Sequence, residues 1–155
     1  MLQRMQSLYL SLTTIFAMLL FKGDFVKIID KTGIGFVIRF NGIYQFDGVS
    51  DPILMHRLLP LSALTIIIPV MSVAAIFMYK KRKLQMTVVM IIMILAAATA
   101  GLITYYSATT AVRTDAAFIP LAKFYLIPLI VIFALLAYRG IRRDENLVSS
   151  YHRLR

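Results

Sequence analysis

The chain contains no cysteine and no tryptophan among its 155 residues, and seven acidic side chains stand against 17 lysines and arginines. Without cysteine there is no disulfide framework, no thiolate metal site and no cysteine nucleophile. Without tryptophan, an aromatic belt at a membrane surface must be built from tyrosine. The shortage of acid leaves a net charge of +10. What is abundant is apolar. Hydrophobic residues make up 60% of the chain and the mean hydropathy is +0.81, well above the about 45–50 % apolar usage of globular domains. The solvent for much of this chain is therefore lipid. Its positive charge sits beside the apolar runs and not along one soluble face, which argues against nucleic acid and for a bilayer with anionic headgroups as partner.

A hydrocarbon core of about 30 Å requires roughly 20 apolar residues in a helix, because backbone groups must be satisfied internally and each residue advances about 1.5 Å. Four segments meet or approach that length: 5–21, 58–79, 84–106 and 119–138. The fold class expected is an all-α membrane protein, a single domain over 1–155 with four transmembrane helices. The first segment is short and follows Arg4, as a secretory signal would. The residues after it, Phe21-Lys22-Gly23-Asp24-Phe25, offer no small-x-small cleavage site, so it reads as a permanent anchor. Pro60 falls in the opening turn of the second helix, where its missing N–H costs nothing, whereas Pro69 and Pro128 fall deeper and are expected to kink their helices.

Lysine and arginine in short loops set orientation. Lys80, Lys81, Arg82 and Lys83 crowd the turn between the second and third spans, and Arg139, Arg142 and Arg143 follow the fourth. This bias places both termini in the cytoplasm and makes those seven residues candidates for contact with anionic lipid headgroups. The tail 139–155 extends the fourth helix, with Ile141, Val148, Tyr151 and Leu154 at roughly helical spacing among charges. On the opposite side fall Lys22, Lys27, Lys31, Arg39, Arg57, Arg113 and Lys123, together with five aspartates. Lys123, within the fourth span, lies close enough to its outer end to reach the headgroups along its own stem. In the third span Ala97 and Gly101 form a small-residue surface suited to close helix packing, within the protein or against a partner subunit.

The outer loop 22–57 carries one folded signal, a β-hairpin over 35–46. Two alternating runs flank Asn41-Gly42, a dipeptide favoured where both turn positions need positive φ. Phe36, Ile38 and Phe40 share one face of the first strand, and that face must bury itself against something.

No constellation of catalytic residues emerges. His56 and His152 are isolated and fall on opposite sides of the membrane, so no metal site is expected. Asp144 and Glu145 project about 100° apart on a helix among arginines, which suits local ion pairs better than acid–base work. Gly33-x-Gly35 precedes a strand instead of opening a helix, and Ser149 and Ser150 lack an elbow motif. The expectation is a chain that is not an enzyme and carries no cofactor. Its leading function is that of a non-catalytic accessory or assembly subunit of a membrane complex, with other membrane subunits as partners. The alternative is a small transporter or channel, bent at Pro69 and Pro128 and lined by Thr65, Ser72, Thr99 and Thr104.

The two ends of the chain carry a resemblance. Met1-Leu2-Gln3-Arg4-Met5-Gln6-Ser7-Leu8-Tyr9-Leu10 at the start, Arg139-Gly140-Ile141-Arg142-Arg143-Asp144-Glu145-Asn146-Leu147-Val148 near the end and the final Arg153-Leu154-Arg155 resemble a bacterial membrane family, domain of unknown function 4293. The resemblance spans nearly the whole chain and implies a small four-span protein of the inner membrane, with the outer loop facing the periplasm. It implies no activity, cofactor or functional residue.

Overall fold

Buried residues recur along four helices at alternating intervals of three and four. In the computed structural model, which describes residues 2–29, 35–46, 52–79, 81–114 and 116–153, helix α1 (Leu2–Leu19) buries Gln6, Leu10, Thr13, Ala17 and, just past its end, Leu20. Helix α2 (Leu59–Phe77) buries Leu61, Thr65, Ile68, Ser72 and Ala75. Helix α3 (Arg82–Thr114) buries Gln85, Val89, Ile92, Ala96, Thr99 and Ile103. Helix α4 (Leu126–Arg153) buries Ile127, Ile130, Ala134, Ala137, Ile141 and Asp144. Such spacing keeps one narrow seam facing inward when helices cross at a shallow angle. Each helix packs on two others, α1 on α2 and α4, α3 on α2 and α4, so the four form a ring. Phe16 of α1 stacks on Phe133 of α4 with ring centroids 5.4 Å apart.

The distribution of size and polarity is inverted relative to a water-soluble bundle. Small and hydroxyl residues occupy much of the seam, while Ile66, Val70, Phe77, Ile94 and Ile132 face outward. Small residues at contacts and bulky apolar residues outside are what a lipid solvent selects. Among the described residues, three helices are long and apolar enough to cross a membrane, Leu59–Phe77, Arg82–Thr114 and Ala122–Leu147; the apolar part of α1, Met5–Leu19, is shorter. The chain is a membrane protein.

An all-α membrane fold with a small hairpin does not describe it. One end of the bundle carries a five-stranded antiparallel sheet built from β1 (Asp24–Ile29), β2 (Gly35–Arg39), β3 (Gly42–Phe46), β4 (Ile53–Arg57) and β5 (Ala117–Pro120), in the order β4-β3-β2-β1-β5. The expected hairpin exists as β2–β3, but β1 and β4 extend it within the first loop, and β5 reaches it from the connection between α3 and α4. Tertiary pairing created these strands. Ile119, expected to open the fourth span, lies instead in β5, where β1 supplies the ladder, Ile29 opposite Ala117 through Val26 opposite Pro120.

The hairpin turn sits one residue earlier than the Asn41-Gly42 pattern predicts. Arg39 pairs with Gly42, so Phe40 and Asn41 form the two-residue loop. Gly42 serves a different purpose: a Cβ there would stand 2.5 Å from the carbonyl oxygen of His56, so its missing side chain lets β4 approach. Among the described residues, the glycine that adopts positive φ is Gly23, at 91°, between α1 and β1.

Two helix boundaries also move. α3 runs eight residues past the expected end at 106, since Ser107, Thr109, Thr110 and Thr114 donate their hydroxyls to carbonyls one turn back and remain satisfied within the helix. α4 begins at Leu126 after a 3₁₀ turn, Ala122–Tyr125. Pro128 therefore falls in the first helical turn, where no N–H is required, and not deep in a span. Pro69 is buried inside α2, which continues through it.

Candidate functional site

The junction of sheet and bundle is held by the hairpin loop. The hydroxyl of Ser62 in α2 donates to the carbonyl of Phe40 at 2.9 Å, and the amide of Leu58 donates to the carbonyl of Asn41 at 3.2 Å. Phe40 meets Phe21 edge to face, with centroids 5.7 Å apart. Leu121 donates its amide to the Phe25 carbonyl at 3.0 Å, which ties the start of α4 to β1. Ile38 is fully buried beneath the sheet. Its row continues across the ladder through Ile43 to His56.

A 33-residue helix is about 50 Å long, more than a hydrocarbon core of about 30 Å uses. The last turns of α3 therefore stand beside the sheet, and a cleft of about 510 Å³ lies between them. Phe36, Ile43 and Leu58 supply apolar wall; Arg57, His56 and Arg113 supply cationic and donor groups; Tyr105, Tyr106, Thr109 and Thr110 line the helix side. Met55 and His56 are sequential, yet both line the cleft. Ile43 pairs with His56 and the next pair is Tyr44 with Leu54, so Met55 is an extra residue in β4 that breaks the alternation. Bulges of this kind re-aim side chains next to sites. Among the described residues, no carboxylate lines the cleft. Asp24, the acidic neighbour on the sheet, is held by Arg39 at 2.7 Å.

The opposite end is also polar. The amide nitrogen of Gln6 donates to Oδ2 of the buried Asp144, and an Arg82 guanidinium nitrogen donates to the Asp144 carbonyl at 3.3 Å. Gln85, buried in the first turn of α3, donates to the carbonyl of Ala75 at 3.0 Å, which also accepts the Met78 amide at 3.3 Å, and so adds a second donor to the end of α2. A second cleft of about 460 Å³ opens there among Gln6, Ile76, Phe77, Arg82 and Gln85.

The residues expected to meet anionic headgroups are gathered at this end. Arg139, Arg142 and Arg143 share one surface of α4, and Lys81, Arg82 and Lys83 lie in the turn that Arg82 ties to α4; Lys80 lies outside the described residues. Ala97 and Gly101 are exposed, and a Cβ on Gly101 would meet nothing within 4 Å, so neither makes the packing contact within the bundle. Ala96, one residue away, does. Lys123 lies in the 3₁₀ turn with its amine over Gly23. Asp144 is turned inward and buried; among the described residues its Oδ1 has no hydrogen-bond partner. Its seam position, three residues after Ile141 and seven after Ala137, is the signal that marks it. His56 lies in β4 and His152 in the last turn of α4, at opposite ends of the bundle. Of the tail positions, Ile141 is buried, while the side chains of Val148, Tyr151 and Leu154 lie outside the described residues. Arg57 and Arg113 were legible only as scattered outer charge, because their sharing of one cleft depends on the extension of α3 and on β4.

Residues 2–154 match the family described as Domain of unknown function (DUF4293). No curated protein matches the chain.

Proposed function

Because the chain belongs to the DUF4293 family across nearly its whole length, we propose that it acts as a whole-chain unit: a non-catalytic integral protein of a bacterial inner membrane, serving as an accessory or assembly subunit of a membrane complex. The observation that carries this reading is the outer edge of the sheet. Every residue of β4 is exposed, and Ile53, Leu54 and Met55 present consecutive apolar side chains, with Ile53 at 63% exposure. An unpaired apolar strand edge is a template for another chain.

The reading includes four crossings with both termini cytoplasmic. It is supported by the antiparallel packing of α1 beside α2 and α4, which carries α1 through the same layer as its neighbours, and by the cationic end at Lys81–Lys83 and Arg139–Arg143. The sheet then faces the periplasm. The transporter reading draws less support. Thr65 and Thr99 are buried in the bundle, but each hydroxyl donates to its own helix, to Leu61 and Leu95, and Thr104 is exposed; only Ser72 is buried with a hydroxyl that has no partner among the described residues.

The test is in-cell cross-linking followed by gentle extraction of the tagged protein. A reproducible stoichiometric partner that cross-links to β4, and is lost on Ile53→Lys, is the expected result. A partner-free species that carries ions or solutes in reconstituted vesicles would replace this reading with transport.

A further inference from the structure

We propose that the cleft between β4 and the end of α3 is a binding site for a phosphate-bearing amphiphile, with its anionic group held by Arg57 and Arg113 and its hydrocarbon lying against the bundle. Three observations converge on it. The first is charge. Among the described residues, two guanidinium groups and His56 line one cavity that no carboxylate lines, and neither arginine is spent on an ion pair. Guanidinium is the side chain best matched to phosphate, since its fixed fork of donors can meet two oxygens at once. Arg113 also lies in the last turn of α3, where it complements the helix dipole. Arg57, on a strand, has no such role.

The second is depth. A span of about 20 residues beginning near Leu84 ends at Tyr105–Tyr106, whose rings meet edge to face at 5.6 Å. Tyrosines mark the headgroup level. Both line the cleft, whereas Arg113 stands two turns farther along the helix. The cleft thus starts at the membrane surface and rises to its cations, the arrangement of an amphiphile's own parts.

The third is shape. At about 510 Å³ the cavity holds a headgroup and the first part of a chain rather than a bare ion. Phe36, Ile43 and Leu58 offer apolar wall that inorganic phosphate would not use.

The experiment places the full chain in phosphatidylcholine vesicles containing a small fraction of photoreactive phosphatidic acid, then maps adducts by mass spectrometry. Labelling is expected in 54–58 and 105–114, displaced by excess phosphatidic acid but not by phosphatidylcholine or by millimolar inorganic phosphate. Arg57→Gln with Arg113→Gln should lower it about tenfold, the loss of charge-assisted bonds to one anion, while labelling of 139–147 stays unchanged and reports intact insertion. Tyr106→Phe, which keeps the ring, serves as a second, fold-neutral variant expected to weaken labelling less. Labelling indifferent to the two arginines or to headgroup charge would overturn the proposal. Displacement by inorganic phosphate as effective as by phosphatidic acid would overturn its amphiphile half and assign the cleft to free phosphate.

Discussion

Gln6 and Asp144, 138 residues apart in sequence, meet by a buried hydrogen bond that joins the beginning of α1 to the far end of α4. Both occupy seam positions about one helical turn beyond apolar residues, Leu10 and Ile141 respectively. A polar layer placed at one end of an apolar seam fixes which turns of the two helices stand opposite each other, since a slip would strand a buried carboxylate without a donor. Gln6→Leu should therefore destabilise the bundle by about 1–3 kcal/mol, the cost of an unpaired buried polar group. Asp144→Asn, which keeps an acceptor oxygen for the Gln6 amide, should cost less. Thermal unfolding in mild detergent compares the two, and equal losses would mean that packing volume, and not the hydrogen bond, holds the helices in place.

Gln85 closes α2 from the neighbouring helix. Its loss in Gln85→Leu removes the bond to the Ala75 carbonyl, worth about 1 kcal/mol, and should loosen the turn that follows. Trypsin reads this directly at Lys81, Arg82 and Lys83, where cleavage is expected to accelerate relative to the unaltered protein.

Gly42→Ala tests whether that glycine serves the approach of β4. The added methyl would meet the His56 carbonyl oxygen, so β4 should detach from β3 while α2 and α3 stay folded. Hydrogen exchange should rise in 53–57 and not in 85–103. An unchanged exchange pattern would show that the strand can shift to accept a methyl.

At Gly101 the opposite outcome is expected. Nothing lies within 4 Å of a Cβ there, and alanine is favoured over glycine in a helix by about 1 kcal/mol, so Gly101→Ala should match or slightly exceed the parent in thermal stability. A loss would reveal a close contact on that face.

Because the chain has no cysteine, single substitutions can be labelled without background. Lys81→Cys and Asn146→Cys should react with an impermeant maleimide only after cells are opened, and Gln45→Cys in intact cells once the outer membrane is permeabilised. Labelling of all three from one side would remove the proposed arrangement of termini.

The β2–β3 hairpin shows how far local pattern reaches. Two alternating runs around a turn dipeptide place the strands within a residue, yet the turn itself moves, since the pairing of β4 decides where a glycine is needed. Ile119 shows where pattern fails: an apolar residue serves a span or an edge strand alike, and only the presence of β1 distinguishes them.

By itself the sequence determined that this protein lives in lipid, where the long apolar helices lie and at which end the short-loop cations gather, because hydropathy and charge are properties that single segments carry and a bilayer reads one segment at a time. Only the tertiary structure decided that the chain builds a five-stranded sheet, turns Asp144 inward and places Arg57 and Arg113 on one cleft. Those outcomes depend on partners distant in sequence, a strand edge, a helix neighbour, a helix continued past the membrane, and no local periodicity encodes who the partner will be.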